Sequence, residues 1–153
     1  MPPLAKVYEA LGAIGDGRVR IEDGRRAFVT SSEGTKTYEV ESSDDGAEIS
    51  SNDNASFWQG YLGYPAIAVM ISRGLIAADK TAVRALAGVQ WKQLNARYRN
   101  DYDRTLEDVM QRASDNGYDP TAIREAAGAV LEAVRALAPR KGQQRRPPRA
   151  KSK

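Results

Sequence analysis

The sequence predicts an α+β fold: an N-terminal helix, a four-stranded antiparallel meander, a helical C-terminal half packed on one sheet face, and a disordered basic tail. Three observations carry this reading. Apolar spacing changes from three and four to two at Arg18. Turn residues then divide the next stretch, to Ser51, into four short runs. Apolar residues are densest from Phe57 to Ile76, in a block that the segments on either side can pack upon.

Leu4, Val7, Tyr8 and Leu11 recur at helical spacing, predicting an amphipathic helix stopped by Gly12 and Gly15-Asp16-Gly17. Four strands follow: Arg18 to Glu22, Arg25 to Ser31, Thr35 to Ser42, and Ala47 to Ser51. A two-residue Asp23-Gly24 turn pairs Val19 with Phe28. A three-residue Ser32-Glu33-Gly34 loop pairs Phe28 with Tyr38, and a four-residue Ser43-Asp44-Asp45-Gly46 loop pairs Val40 with Ile49. These registers place Val19, Ile21, Phe28, Tyr38, Val40 and Ile49 on one inward face. A two-residue loop at Glu33-Gly34 instead sets Phe28 opposite Glu39 and divides that face. The outer face then carries Arg18, Arg20 and Arg25 with Glu39, Glu41 and Glu48. Mixed sign suits a solvated sheet surface, with the three arginines as an alternative docking patch.

The block from Phe57 to Ile76 approaches the roughly 20 apolar residues that span a bilayer. However, Gly60, Gly63 and Pro65 interrupt it, and Gln59 and Arg73 place polar groups inside it, so two buried helices fit better. The first runs from an Asn54 cap to Leu62, with Phe57, Trp58, Tyr61 and Leu62 on one face. The second opens at Pro65, presents Ile67, Met70 and Ile71, and ends at a left-handed Gly74 that brings Leu75 to Met70. Further helices follow from an Asp79 cap to Gly88, around Trp91, Leu94 and Tyr98, and through Leu106, Val109, Met110 and Ala113 to Gly117. In the last, Asp119 caps, Pro120 opens, and Ile123, Ala127, Val130, Leu131, Val134 and Leu137 share a face as far as Pro139.

The length fits one domain, residues 1–138, which buries about two-thirds of its unfolded surface. The chain contains no Cys and no His, which excludes disulfides, thiolate or imidazole metal sites, and Ser-His or Cys-His dyads. No cofactor or metal is expected. The first residues, Met1-Pro2-Pro3-Leu4-Ala5-Lys6, have none of the features of a secretory signal, and a cytoplasmic protein is expected. The net charge of +3 is unevenly spread. Residues 139–153 hold Arg140, Lys141, Arg145, Arg146, Arg149, Lys151 and Lys153 and no acid, so the body carries 3 − 7 = −4.

Candidate motifs resolve mostly into structure. Asn100-Asp101-Tyr102-Asp103 with Thr105 has the start of a calcium loop, but Leu106 and Arg112 occupy the places of its glycine and bidentate Glu. These residues read as a helix cap with first-turn acids. Gly12, Gly15 and Gly17 follow a helix and precede a strand, the reverse of a dinucleotide-binding loop. Asp44 with Asp45 and Glu39 with Glu41 have nothing nearby in sequence to separate their acidities, so no catalytic residue is assigned.

Two features point to binding. Phe57, Trp58, Tyr61 and Tyr64 fall within eight residues. Core packing explains them first; otherwise Trp58, Tyr61 and Tyr64 are the candidate partner-binding residues, for a protein groove or for stacking bases. The basic tail, with its seven cations among proline, glycine and glutamine, suits a phosphate backbone. Solubility and anionic membranes are its alternatives. The leading reading is therefore a non-enzymatic accessory protein, its body contacting a protein partner and its tail contacting nucleic acid or a ribonucleoprotein. A protein-interaction or oligomerisation module without a nucleic-acid role is second. A small enzyme using carboxylate, Tyr, Lys or Arg chemistry is third.

Overall fold

The computed structural model describes residues 3–43, 48–53 and 62–137 and the backbone of 140–141. The expected helix over Asn54–Leu62, with Phe57, Trp58 and Tyr61, lies outside the described residues except at Leu62, and so do positions 142–153 of the basic segment. The first helix, α1 (Leu4–Gly15), is followed by four antiparallel strands in chain order: β1 (Val19–Ile21), β2 (Arg26–Thr30), β3 (Thr37–Ser42) and β4 (Glu48–Ser51). Five helices come next: α2 (Tyr64–Ser72), α3 (Lys80–Ala85), α4 (Trp91–Arg97), α5 (Tyr102–Asp115) and α6 (Pro120–Leu137). A two-residue strand, β5 (Arg140–Lys141), then pairs in parallel with β4, so the sheet order is β1-β2-β3-β4-β5. The meander and the helical C-terminal half are those expected. The fifth strand, at the start of the basic segment, is an addition.

The layering explains the apolar block. Helix α2 packs on all four strands of the meander, and α1 packs on α2, with α3 and α6 beyond it. Pro65 to Met70 are all buried, because this part of the helix has protein on every side and no solvent face to make polar. Its stop is the expected one. The N–H of Gly74 bonds Ile71 O and that of Leu75 bonds Met70 O, both at 3.0 Å, and Gly74 sits at φ +78, where a side chain is strained.

Helix α1 runs through Gly12 instead of stopping there. The glycine serves packing: a Cβ on it would stand 2.7 Å from Trp91 Nε1 and 3.2 Å from the Leu86 carbonyl.

The registers differ from expectation in one instructive way. Val19 pairs with Val29, and Phe28 pairs with Glu39, the register expected to divide the inward face. Each of the first two loops is one residue longer than predicted. Arg26 O accepts from the N–H of Glu22, which leaves three residues in the first loop, and Ser31 N–H bonds Lys36 O, which leaves four in the second. Asp23 fills the longer turn, its Oδ1 accepting from the N–H groups of Arg25 and Arg26 at 2.8 Å; these bonds hold its carboxyl below the usual range. The two shifts cancel for β1 and β3 and invert β2 alone. Ala27 and Val29 therefore face α2, fully buried, with Val40, Tyr38 and Ile49. The small side chains of Ala27 and Val29 on β2 let α2 approach. Phe28 turns outward, where the guanidinium groups of Arg20 and Arg26 lie 4.6 and 6.0 Å from its ring centroid. Ile21 is also corrected: it ends a short edge strand and is 43% exposed. The third hairpin pairs Val40 with Ser51 and Ser42 with Ile49, two residues from the expected register, so Ile49 keeps its inward face.

Local signals place the C-terminal helices as expected. Asp79 caps α3 by accepting from Ala82 N–H at 3.0 Å, Asp101 caps α5 from Arg104 N–H at 3.3 Å, and Asp119 accepts from Thr121 N–H at 3.0 Å. Ile123, Ala127, Val130 and Val134 form the buried stripe of α6.

Within α2, Ile67 is fully buried while Ile71 is only partly so. Ile67→Ala is expected to cost about 2–5 kcal/mol from lost transfer energy and the cavity left behind. Ile71→Ala should cost less, about 1–2 kcal/mol, since its side chain is partly in water already. Urea unfolding of both variants checks the order; the reverse order would mean that α2 is rotated about its axis.

Candidate functional site

A cleft of about 430 Å³ opens where α1, the β2–β3 loop, the start of α2 and α4 meet. Each element brings its part for a local reason. The all-round burial of α1 carries Glu9 inward, where it is only 6% exposed. Its carboxylate is held by Lys6 one turn earlier, Oε2 to Nζ 3.5 Å, and by Asn95 of α4, whose Nδ2 donates to Oε1 at 3.3 Å. Since that bond fixes the amide's orientation, Asn95 Oδ1 is left buried without a hydrogen-bond partner among the described residues. Trp91, at the start of the same helix, packs its indole against Gly12, and its Nε1 likewise has no partner among the described residues.

The β2–β3 loop supplies the opposite side. Ser31 Oγ accepts from Lys36 N–H at 3.1 Å, closing the four-residue turn, and Ser32 Oγ accepts from Lys92 N–H at 3.4 Å, tying the turn to α4. Lys92 Nζ also pairs with Glu33 Oε1 at 2.8 Å. Thr35 and Lys36 complete this end of the lining. Lys36 makes no ion pair with a described residue.

Tyr38 and Tyr64 form the inner wall, meeting edge to face with ring centroids 6.1 Å apart. Arg18 braces them. Its guanidinium donates to Thr30 O at 2.7 Å and Asp16 Oδ2 at 3.2 Å, and its charge favours the ionised form of the Tyr64 hydroxyl. Expected on the outer sheet face, Arg18 therefore lines the cleft instead. In all, Lys6, Arg18, Lys36 and Lys92 face Glu9 and Glu33, a net +2 inside a body whose overall charge is negative.

The residues singled out from sequence fare differently. Tyr64 is partly buried, packs on Tyr38 and lines the cleft, so its ring belongs both to the core and to the inner wall. Trp58 and Tyr61, the other candidate partner contacts, fall outside the described residues, as do Arg145, Arg146, Arg149, Lys151 and Lys153. Of the cationic segment the structure describes the backbone of Arg140 and Lys141, hydrogen-bonded beside Glu48 and Ile49. Sequence reasoning missed the cleft itself. Two signals were present: an acid at position 9 between residues that must be buried, and three hydroxyl residues with a lysine in one turn.

No helix among the described residues is long and apolar enough to cross a membrane. The chain belongs to the family described as uncharacterised conserved protein UCP014422, whose model matches residues 1–140 and so spans every residue of the cleft. No curated protein and no solved structure matches the chain.

Burial raises the Tyr38 hydroxyl from its ordinary value of 10.0 to about 12, with the charges of Asp53, Glu9 and Glu33 adding to the effect. Tyr64 is raised as well, first by burial and then by Tyr38, against the pull of Arg18. The unfolded chain thus releases these protons first. The stability contributed by the neutral phenols is complete below about pH 10 and is lost as pH rises through the folded-state value of Tyr38, about 12. Urea midpoints measured across that window should fall with pH, and fall less steeply in Tyr38→Phe. Equal slopes in the two proteins would show that Tyr38 titrates normally.

Proposed function

We propose that this member of the family is a binding protein rather than a catalyst, holding its target through the folded body and through the basic segment 139–153. The observation that carries this reading is how the cleft disposes of its charge. Acid–base chemistry by two carboxylates needs one in apolar and one in polar surroundings, so that their acidities separate. Here Glu9 and Glu33 come from different elements and each already lies against a lysine, at 3.5 and 2.8 Å. Such an arrangement holds charge in place instead of passing protons.

The basic segment is the second hold, directed at nucleic acid or a ribonucleoprotein. Its seven cations, Arg140, Lys141, Arg145, Arg146, Arg149, Lys151 and Lys153, come without an acid among them, and counterion release favours their contact with a phosphate backbone. Support comes from β5, which fixes the origin of the segment on the edge of β4. A protein-interaction module without a nucleic-acid role is the second reading. It is favoured by exposed Leu4 and Tyr102, which flank a smaller groove of about 240 Å³ beside α5.

Fluorescence anisotropy with duplex DNA at several salt concentrations tests the nucleic-acid hold. If about five to seven cations meet phosphates, the log–log slope should lie near −4 to −6, at about −0.9 per phosphate. Replacing Arg145, Arg146 and Arg149 with Gln should flatten it by nearly three and weaken all sequences alike. Truncation after Lys141, which keeps β5, should abolish binding and leave the unfolding midpoint unchanged. No binding at low salt, or a truncated body that binds as tightly as the whole chain, would transfer the case to the second reading.

A further inference from the structure

We propose that the cleft takes a small phosphate monoester, with its phosphate among the hydroxyls and lysines of the β2–β3 loop and α4 and its organic end at Asn95. This inference rests on the cleft being a binding site and adds the class of ligand. The phosphate end is argued from proton bookkeeping. Ser31 Oγ and Ser32 Oγ each already accept a backbone N–H, from Lys36 and Lys92. A hydroxyl whose oxygen is so engaged has its own proton left to donate. With Thr35, Lys36 and Lys92 among the residues lining the same cleft, this end is rich in donor side chains. A phosphate monoester is the complementary group, offering three acceptor oxygens and a charge of about −1.5 to −2 at neutral pH. Its charge also answers the net +2 of the cleft, which stands out in a body of net −4.

The other end asks for the opposite chemistry. Asn95 Oδ1 is a buried acceptor without a partner among the described residues, fixed by the bond from its Nδ2 to Glu9. Leaving such a group unsatisfied is unfavourable, and a ligand N–H or O–H would relieve it. Between the two ends the rings of Tyr38, Tyr64 and Trp91 offer an apolar wall. A volume of about 430 Å³ lies in the range of small-molecule sites, about 300–1,000 Å³.

Isothermal titration of the full chain with adenosine 5′-monophosphate, ribose 5-phosphate, adenosine and inorganic phosphate tests the assignment. Both phosphate monoesters should bind, and adenosine should bind at least about tenfold more weakly than its monophosphate, as loss of charge-assisted hydrogen bonds implies. Lys36→Gln and Lys92→Gln should each weaken the monophosphate by about tenfold. The Lys92 side chain is 60% exposed, so that variant is expected to fold, and thermal midpoints confirm it for both. Asn95→Leu should weaken the monophosphate while leaving inorganic phosphate unchanged. The triple Gln variant at Arg145, Arg146 and Arg149 should bind as the parent does, separating the cleft from the basic segment. Adenosine binding as tightly as its monophosphate, full binding by folded Lys36→Gln and Lys92→Gln, or loss of binding in the triple variant would each overturn the ligand class. Phosphorus NMR of the same mixtures separates the two proposals. Release of inorganic phosphate from the monoester would overturn the binding-only reading while leaving the phosphate class intact.

Discussion

Between the sheet and α1, helix α2 is buried from Pro65 to Met70 with no face toward water, and the neighbouring elements are shaped by the need to enclose it. On the sheet side, the inward residues of β2 are Ala27 and Val29, which are small enough to admit the helix; the bulkier Phe28 is turned outward and covered by arginines. At the N-terminal end, Gly63 has no side chain because the buried Asp53 carboxylate occupies the space a Cβ would need. A carboxylate near a helix N-terminus also suits the helix dipole. At the other end Arg73 reaches back to the hairpin, its Nη2 donating to Asp23 O at 2.9 Å and Arg26 O at 3.2 Å, which ties the first turn of the meander to the central helix.

The cleft follows from the same enclosure. With α2 on one side and α3 and α6 on another, α1 is itself buried from Val7 to Ala13, and the one charged residue in that stretch, Glu9, must be satisfied inside the protein. Lys6 and Asn95 do this. The contact with Asn95 requires α4 to come close to α1, and Gly12 allows that approach by leaving room for Trp91. Once α4 is seated there, its Lys92 meets the β2–β3 loop at Ser32 and Glu33. A buried acid and a glycine in α1 thus position the far wall of the cleft.

How much of this was legible depends on the range of the forces involved. Caps at Asp79, Asp101 and Asp119 and the stop at Gly74 act over a few residues, so the sequence holds all the information they need. The facing of β2 does not work that way. In Arg26-Ala27-Phe28-Val29-Thr30 either alternate set can be apolar, and Phe28 is the more hydrophobic choice for the core. The close approach of a helix about forty residues later decides for Ala27, and one extra residue in each flanking loop permits it. The inversion stayed hidden because the two shifts cancel, leaving Val19, Tyr38 and Val40 where the simpler registers put them. The cleft was less legible still, because its walls come from four separated segments and its pairings, such as Glu9 with Asn95, join residues far apart in the chain.

The charge distribution ties the body to its proposed use. A body of net −4 repels anions at long range, yet four cations line the cleft against two carboxylates. Three of the four already have partners: Lys6 with Glu9, Lys92 with Glu33, and Arg18 with Asp16. Those pairs let the cleft persist without a ligand, since clustered cations without counter-charges would oppose folding. Lys36 makes no such pair with a described residue, so its charge is the one most available to an incoming anion. Lys92 lines the same cleft, and its ammonium has three donors, of which the ion pair with Glu33 uses one. In the proposed function the two holds therefore differ in kind: the cleft adds hydroxyl and amide groups to its cations, whereas the basic segment offers charge without acids.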